Sequence, residues 1–345
     1  MKNGKVHVWL PTIRAGSGTD VFTIRLAQAL ESRGLSTQID WFSPRFEFAP
    51  PLLRKAPAPT GTDIVFANSW NGFAFKRADI PLVITAHHPE FIAADPQFGI
   101  LRMLYHRILI RQYQEASFRA ANAITAVSAF TARSLENTPH AGKLKIIYNW
   151  IDLEKFRPGA HLPEPRTAFQ LLFVGNLSYR KGADLLPAIM RELGSEFHLS
   201  VIAGARNGEE KNFPPNMTLL GRVSDDELVA AYQQCDALLF PSRWEGFGYT
   251  ALEAMACGKA VVTSDASALP EVVQAEETGI LCPPGDVSAF AAACRRLRDN
   301  PLLCQTMGSN GRKRAVANFS EKVLIDQYVD IIQALCHGTP RELNH

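Results

Sequence analysis

Two glutamates, Glu245 and Glu253, are the residues of this sequence whose spacing most directly indicates chemistry. Seven residues separate them, and Gly246, Phe247 and Gly248 lie in that interval. A carboxylate accepts hydrogen bonds from vicinal hydroxyl groups, and the backbone N–H groups at the start of a helix attract an anion. The pattern therefore predicts a ligand with a sugar at each end and phosphates between them, as in a nucleotide sugar.

An acid and nucleophile pair of a glycosidase is the alternative chemistry for two carboxylates. Such a pair must lie across one glycosidic bond. Here Glu245 falls in a predicted loop at 241–248, and Glu253 falls about one turn into the helix that follows. Because the amides between them favour an anion, the glycosidase interpretation is the weaker one. The spacing also occurs by chance, so its meaning depends on the surrounding sequence.

A basic pair, Arg180 and Lys181, precedes the helix predicted at Gly182–Leu193. Arginine binds a diphosphate through a fork of donors, and lysine binds it as a point charge. A solvated surface loop is the alternative for an isolated Arg-Lys pair. The start of the helix adds to the same positive field, so we favour phosphate binding.

A glycine turn at 15–18 follows the first predicted strand in a similar position. Gly16 and Gly18 let the backbone approach a ligand closely, which suits a diphosphate, although an ordinary strand–helix turn has the same composition. Phe22 and Thr23 stand where the later glycine of a dinucleotide motif would fall. Their presence argues against a dinucleotide-binding fold.

His87 and His88 follow the strand predicted at Leu82–Thr85. A histidine at the carboxyl end of a parallel strand faces the ligand-binding edge of the sheet. It can donate a hydrogen bond there to a substrate hydroxyl or phosphate. A partly buried structural histidine is the alternative interpretation for His87.

Strand and helix patterns alternate along the chain, which predicts parallel α/β sheets. The predicted strands are Val6–Leu10, Thr37–Trp41, Asp63–Ala67, Leu82–Thr85, Ala123–Val127, Lys145–Tyr148, Phe169–Gly175, His198–Ala203, Met217–Leu220, Ala237–Phe240 and Ala260–Thr263. The predicted helices are Asp20–Arg33, Gly182–Leu193, Asp225–Cys235 and Thr250–Cys257. Doubly wound sheets bind ligands at the carboxyl ends of their strands, so we predict two Rossmann-like domains facing each other across a cleft.

Length and charge limit what the chain can be. At 345 residues it is too long for most single cores, so two domains are expected. Residues 1–162 contain 19 Lys and Arg against 12 Asp and Glu, whereas residues 163–345 contain 17 against 22. The basic first half predicts contact with an anionic group or surface, and unevenly solvated faces are the alternative.

The cysteines and the apolar runs bear on the compartment. The six cysteines all lie beyond residue 234 and form no C-x-x-C pair, which predicts reduced thiols rather than a disulfide or zinc framework. The first residues do not have the pattern of a signal peptide, and no apolar run in the sequence approaches the roughly 20 residues that cross a bilayer. These features predict a cytoplasmic protein.

The sequence around the two glutamates resembles the GT4 family of retaining glycosyltransferases, which have the GT-B fold. The pattern E-G-F-G-x-x-x-L-E-A-M-A-C-G is followed by V-V-T-S-D, A-L-P-E-V-V and T-G-I-L-x-x-P-x-D, and the similarity covers most of 169–290. The first half is similar more loosely, in the turn at 16–18, His87, V-S-A-F-T-A-R-S-L and I-I-Y-N-W-I-D-L-E-K-F-R-P.

The resemblance implies catalytic roles for Glu245 and His87. Glu245 would bind hydroxyl groups of the transferred sugar beside the bond that breaks, and His87 would assist at the sugar. The family has no securely assigned nucleophile, and the usual proposal is front-face attack in which the departing phosphate takes the proton of the acceptor. A site rich in anion-stabilising groups suits that chemistry. The chain has no D-x-D motif, which agrees with a reaction that requires no metal.

The resemblance also implies how the donor is bound. Glu253 would hold the ribose hydroxyl groups, Arg180 and Lys181 would neutralise the leaving diphosphate, and Ser17 and Gly18 would approach the phosphate from the other domain. Backbone amides that would hold the sugar and phosphate belong to Phe247, Gly248, Tyr249 and Thr250.

One departure from the family pattern concerns a cation. The family often has G-R-L after the first strand of its second domain, and this chain has Gly175-Asn176-Leu177 instead. Arg180 is the candidate to replace the missing arginine.

The linker and the family pattern together predict the domain boundaries. Residues 157–167 contain three prolines and a glycine, as a linker does. We expect an acceptor-binding domain at 1–160 and a nucleotide-sugar-binding domain at 161–321. A C-terminal helix at about 322–345 would cross back to the first domain.

Two segments of the first half suggest a lipid surface. Residues 41–59 are aromatic, proline-rich and basic, and 98–124 predict a helix with four arginines and one acid. A basic amphipathic helix can lie on an anionic membrane, so we predict peripheral attachment to the inner face of the membrane through 98–120. A core-packing helix with a solvated arginine face is the alternative.

These observations predict a retaining glycosyltransferase. It would move a hexose of the mannose or glucose type from a GDP- or UDP-sugar to a hydroxyl of a glycan or lipid-linked acceptor, in polysaccharide or glycolipid synthesis. No permanently bound cofactor, metal or nucleic-acid partner is expected. The alternatives are a related GT-B phosphorylase or epimerase, and a non-catalytic protein that binds nucleotide sugars.

Overall fold

The computed structural model describes residues 5–16, 18–88, 105–159, 167–204 and 213–337, without the side chains of 105–107. Ser17, part of the predicted diphosphate contact, lies outside these residues. So does the first part of the predicted membrane helix, 98–104.

The first sheet has six parallel strands in the order β2-β1-β3-β4-β5-β6. The strands are β1 His7–Ile13, β2 Ser36–Phe42, β3 Ile64–Asn68, β4 Leu82–Ala86, β5 Ala123–Ala126 and β6 Leu144–Ile146. The α-helices described with it are α1 Gly18–Ser32, α2 Arg111–Ala120, which a π-helical turn at Tyr105–Ile110 precedes, and α3 Ala129–Glu136. Short 3₁₀ helices lie at Pro44–Glu47, Pro50–Lys55, Gly72–Phe75 and Ala141–Lys143.

The second sheet also has six parallel strands, in the order β12-β11-β10-β7-β8-β9. The strands are β7 Phe169–Val174, β8 Phe197–Ile202, β9 Met217–Gly221, β10 Ala237–Phe240, β11 Ala260–Ser264 and β12 Gly279–Cys282. The helices described after β7 in the chain are α4 Leu186–Leu193, α5 Asp225–Gln234, α6 Tyr249–Ala256, α7 Leu269–Val272, α8 Val287–Asp299, α9 Pro301–Asn318 and α10 Glu321–His337, with a 3₁₀ turn at Ala183–Leu185 before α4.

Contacts divide the chain into two compact units. Of the described residues, those up to 149 together with 321–337 form unit 1, and 150–320 form unit 2. Helix α10 belongs to unit 1 because its apolar face packs on α1 and β3. The ring of Tyr328 on that face lies 6.3 Å from Phe22 and 6.1 Å from Phe66.

Several element boundaries differ from the predicted ones by a few residues, and two of these differences have a clear physical reason. Strand β1 continues through Pro11 to Ile13 because beyond Trp9 it pairs only with β2, so the missing N–H of the proline costs no bond to β3. Helix α4 begins later than predicted, because Gly182 is left-handed at φ 69° and a 3₁₀ turn intervenes. Proline then occupies the first turn of α4, where its missing N–H is harmless.

The strand that leads to the candidate site is fully buried within unit 2. All four residues of β10 are fully buried, with β7 on one side and β11 on the other. A strand covered on both faces is a continuous apolar run, which is why Ala237–Phe240 was predicted with its observed bounds. Among the described residues, no helix is long and apolar enough to cross a membrane.

Candidate active site

Glu245 lies in the loop between β10 and α6, and Glu253 lies on α6. Glu245 is buried, at 7% exposure, and Glu253 is half-buried. Gly248 starts α6 at φ 110°, a conformation that favours glycine, and a Cβ there would stand 3.0 Å from Leu269. No side chain caps this helix start in the described structure. The turn thus separates the two carboxylates at the positive end of a helix dipole.

The Glu245 carboxylate is bound by two cations and a hydroxyl. Lys181 Nζ donates to Oε1 at 2.6 Å, Ser242 Oγ donates to Oε1 at 2.7 Å, and Arg180 Nη1 donates to Oε2 at 3.4 Å. Burial by itself would raise the pKa of Glu245, but Lys181, Arg180 and the hydrogen bonds outweigh it and lower the pKa to about 2. Glu245 is therefore ionised at neutral pH and can accept hydrogen bonds but has no proton to give.

Lys181, which binds Glu245, is itself largely buried and lies against an aromatic ring. Its ammonium lies 4.9 Å from the centroid of the Phe240 ring, and only 14% of its side chain is exposed. Burial lowers the pKa of Lys181 more than the Glu245 carboxylate raises it. Two cations face the Glu245 carboxylate here, and the second of them, Arg180, makes the longer contact of 3.4 Å.

The loop with the basic pair is fixed against the loop with Glu245. Arg180 Nη1 donates to the Trp244 carbonyl at 2.9 Å, and Arg243 N donates to the Arg180 carbonyl at 2.9 Å. The Arg243 guanidinium also binds Asp184 through two bonds of 2.6 and 2.8 Å and stacks over the Tyr179 ring at 3.9 Å. An arginine that makes two hydrogen bonds to one carboxylate has a fixed geometry, so Arg243 fixes the orientation of the two loops relative to each other.

Ser267 is a site residue that sequence reasoning missed. Its Oγ accepts from Glu245 N at 2.9 Å, and Ala268 N donates to the Glu245 carbonyl at 3.3 Å. Ser267 is left-handed at φ 55°, which is uncommon for a residue other than glycine. A strained residue that persists is held by its surroundings, and here it anchors the backbone of Glu245.

Glu253 has a partner that the sequence did not indicate. The hydroxyl of Tyr232, a fully buried residue of α5, donates to Glu253 Oε2 at 2.8 Å. The charge of Glu253 also reaches Lys181 and raises the pKa of that lysine slightly against the effect of burial. The two glutamates and the basic pair therefore belong to one electrostatic cluster.

Arg222 brings a cation close to the position where the family arginine is missing. A Cβ on Gly204 would lie 3.5 Å from the Arg222 guanidinium and 3.7 Å from the Asn176 side-chain oxygen. Asn176 follows β7, Gly204 follows β8 and Arg222 follows β9, so their closeness comes from strand order. Arg222 is a second candidate, beside Arg180, for the cation absent at Asn176.

His87 is paired within unit 1. Its Nε2 lies 3.1 Å from Oδ1 of Asn68, and its ring meets Phe22 edge-on at 4.8 Å. Burial, with a smaller effect of His88, lowers the pKa of His87 to about 3, so the imidazole is neutral at pH 7. Since an amide oxygen only accepts, Nε2 carries the ring proton and Nδ1 is an acceptor. The proton that was expected to reach a substrate is directed at Asn68.

The glycine turn of unit 1 is shaped by Asp20. The Asp20 carboxylate accepts from Ala15 N at 3.1 Å and from Gly16 N at 2.8 Å. Gly16 is left-handed at φ 63°, and Gly18 is the first residue of α1. Two backbone amides of the turn are therefore already bound to a carboxylate of the same chain.

Among the described residues, no cluster of three or more His, Cys, Asp or Glu could hold a metal ion.

Solved structures with the same fold define the class of protein. The chain matches sucrose-phosphate synthase from Thermosynechococcus elongatus with a TM-score of 0.83 and 22% identity, over 97% of this chain and 100% of the other. It matches Anabaena HepE in complex with UDP and glucose with a TM-score of 0.75 and 19% identity, over 95% and 100% of the two chains. The predicted α/β fold of the GT-B type is confirmed.

Sequence comparison places the chain more closely. The model described as glycosyl transferases group 1 matches residues 159–314, and that of glycosyltransferase family 4 matches residues 38–155. Glycogen synthase from Mycobacterium tuberculosis is 31% identical over 80% of this chain and 70% of its own length. An MMP alpha-(1->4)-mannosyltransferase from Mycolicibacterium hassiacum is 28% identical over 79% and 70%. The chain belongs to the family 4 glycosyltransferases, as its motifs predicted.

Proposed function

We propose that the protein is a retaining hexosyltransferase that uses a nucleoside-diphosphate sugar. The observation that carries the proposal is the buried, ionised Glu245, held by Lys181 and Arg180 beside the start of α6. A carboxylate in this position accepts hydrogen bonds from sugar hydroxyl groups, and the basic pair together with the start of α6 attracts a diphosphate. Glu253, one turn along α6, would accept from the ribose hydroxyl groups.

The proposed reaction places charge where the site can stabilise it. As the bond between sugar and diphosphate breaks, negative charge grows on the leaving phosphate, and Lys181, Arg180 and the amides of Phe247, Gly248, Tyr249 and Thr250 would stabilise it. Glu245, whose pKa is about 2, would orient the sugar without protonating it. The departing phosphate would take the proton of the acceptor hydroxyl. In unit 1, the Nδ1 acceptor of His87 would bind a sugar hydroxyl, and Gly18 would approach the phosphate.

The proposed donor is a UDP- or GDP-hexose. HepE was solved with UDP and glucose, and one relative is a mannosyltransferase by name. We extend these donor classes to this chain because two carboxylates flank a helix start at a spacing that suits a nucleoside diphosphate with a hexose. The proposed acceptor is a hydroxyl of a glycan or of a lipid-linked sugar bound by unit 1.

Donor turnover tests this function. The purified protein is incubated with UDP-, GDP- and ADP-hexoses, and release of the nucleotide and sugar is measured. We expect one nucleotide class to be turned over, and Glu245→Gln to lower kcat/KM by about 10²–10³-fold because an amide cannot replace the charged acceptor. NMR of the transferred sugar is expected to show the anomeric configuration of the donor.

The matched control is Glu276→Gln, which removes an exposed carboxylate paired with Arg296 on the same unit. It is expected to keep wild-type turnover. Binding of a donor without turnover would indicate the non-catalytic alternative. Equal rates for Glu245→Gln and wild type would contradict the role of Glu245, and an inverted product would contradict retention.

We also propose that unit 1 meets an anionic membrane. The described part of the predicted helix exposes Ile108 by 51% and Leu109 by 39%. Two apolar side chains are also exposed after β2: Phe48, which follows the first 3₁₀ helix, by 71%, and Leu52 of the second by 61%. Exposed basic residues accompany this second pair: Arg45, Arg54 and Lys55. Apolar side chains beside basic ones suit the interface of an anionic bilayer.

Vesicle sedimentation tests this surface. The wild type is expected to bind vesicles that contain phosphatidylglycerol at low salt, and to bind less as salt rises. Replacing both Phe48 and Leu52 with serine is expected to weaken binding about tenfold, whereas Leu302→Ser, at a leucine of unit 2 that is 73% exposed, should leave it unchanged. Equal binding to vesicles of phosphatidylcholine alone, or no binding at low salt, would contradict the proposal.

A further inference from the structure

Tyr232 is a buried polar residue that none of the predicted roles uses. It lies on α5, whose start is fixed by a capping box of Ser224 and Glu227. The residue is fully buried, and its ring meets Phe156 edge-on at 6.1 Å. A tyrosine hydroxyl buried in this way requires a hydrogen-bond partner, because burying it without one would lower the stability of the fold by the free energy of its lost hydration.

The partner of that hydroxyl is the carboxylate on α6. Tyr232 Oη lies 2.8 Å from Glu253 Oε2 and 3.4 Å from the Thr250 carbonyl. A phenol has one hydrogen, and the shorter, charged contact takes it. Burial and the negative charge of Glu253 raise the pKa of Tyr232 well above its ordinary value, so the hydroxyl stays a donor across the physiological range.

We propose that Tyr232 is a positioning residue, whose hydroxyl fixes the Glu253 carboxylate in the orientation that accepts the ribose hydroxyl groups of the donor. The inference rests on the proposed function. A glutamate side chain loses considerable rotamer freedom when it binds a ligand, and a hydrogen bond that already holds it removes part of that cost. The phenol does so without a charge of its own, so Glu253 keeps its full negative charge toward the ligand.

The orientation of Glu253 also bears on the diphosphate site. The charge of Glu253 raises the pKa of Lys181, and Lys181 in turn binds Glu245 at 2.6 Å. A carboxylate that turned away from the Tyr232 hydroxyl toward Lys181 would compete with Glu245 for the ammonium. The hydrogen bond from Tyr232 on α5 holds Glu253 away from Lys181. Glu253 then remains available to the ribose, and Lys181 remains bound to Glu245.

The test is Tyr232→Phe, which keeps the buried ring and removes only the hydroxyl. Calorimetry measures binding of the nucleoside diphosphate of the preferred donor and of its 2′,3′-dideoxy analogue. For wild type we expect the dideoxy analogue to bind at least tenfold more weakly. For Tyr232→Phe we expect the ordinary nucleotide to lose about tenfold in affinity and the dideoxy analogue to lose less than twofold. In turnover, KM for the donor should rise about tenfold with kcat within twofold.

Tyr328→Phe is the matched control, since Tyr328 is equally buried but lies in unit 1. It should leave both nucleotide affinities at the wild-type value. Equal losses for both nucleotides in Tyr232→Phe would show a structural role only, and no loss for either would also overturn the inference. If wild type binds no nucleoside diphosphate, the proposed function fails as well, whereas wild-type discrimination that persists unchanged in Tyr232→Phe overturns this inference alone.

Discussion

Lys181→Met is expected to abolish donor turnover and to lower the free energy of unfolding by about 3–5 kcal/mol. The substitution keeps the length and most of the packing of the side chain against Phe240 but removes the charge. Glu245 is 7% exposed and would lose the cation that binds it at 2.6 Å. The hydroxyl of Ser242 at 2.7 Å and the guanidinium of Arg180 at 3.4 Å would remain. A buried carboxylate that loses its main partner is far costlier than a broken surface ion pair.

A double mutant separates stability from activity at this pair. Lys181→Met with Glu245→Gln leaves no buried charge uncompensated, so urea unfolding should show most of the stability restored while turnover stays absent. Lys155→Met is the control, because its partner Asp225 is 80% exposed in the side chain, and its cost should stay below about 1 kcal/mol. A fully stable Lys181→Met protein, or an active double mutant, would contradict this account.

The ion pair of Lys181 and Glu245 also predicts how the stability difference between Lys181→Met and wild type changes with pH. The folded pKa of Glu245 is about 2, below its ordinary value of 4.5, so the pair contributes stability that is fully present above about pH 4.5 and is lost as the pH falls toward 2. In Lys181→Met that contribution is already gone. The stability difference between wild type and Lys181→Met should therefore narrow as the pH falls below 4.5.

The strands that carry the site could be predicted because a buried strand has a recognisable apolar pattern in the local sequence. Ala237–Phe240 is an unbroken apolar run, and the glycines at 246 and 248 mark the turn after it. The family motif then identified Glu245 and Glu253. The partners of these glutamates could not be predicted in the same way. Ser267 and Tyr232 are each about twenty residues from their glutamate, and strand order alone brings them together.

The first unit shows the same limit. His87 was identified from its place at the end of a strand, but its hydrogen bond depends on the register of two neighbouring strands. Asn68 pairs with Thr85 across β3 and β4, which brings the Asn68 side chain within 3.1 Å of the His87 ring. Asp20 likewise turns back onto the glycine turn. Neither contact has a periodicity or a motif, so sequence patterns gave the position of each residue but not the direction of its hydrogen bonds.

Gly182→Ala is expected to lower the free energy of unfolding by about 2–5 kcal/mol and to lower turnover at least a hundredfold. Gly182 is left-handed at φ 69°, and a Cβ there would lie 2.0 Å from the Pro241 carbonyl oxygen. Left-handed strain costs about 1–2 kcal/mol for alanine, and overpacking against backbone adds about 1–3 kcal/mol. To relieve the clash, the loop that carries Arg180 and Lys181 must move away from the loop that carries Glu245.

Gly285→Ala is the matched control for this clash. Gly285 is also left-handed, at φ 84°, but a Cβ there would meet nothing within 4 Å. Its cost in urea unfolding should be about 1–2 kcal/mol, the strain alone, and its donor turnover should equal that of wild type. The difference between the two variants then measures the contact between Gly182 and Pro241. Equal losses of stability in both, or full turnover in Gly182→Ala, would show that close approach of these two loops does not hold Lys181 on Glu245.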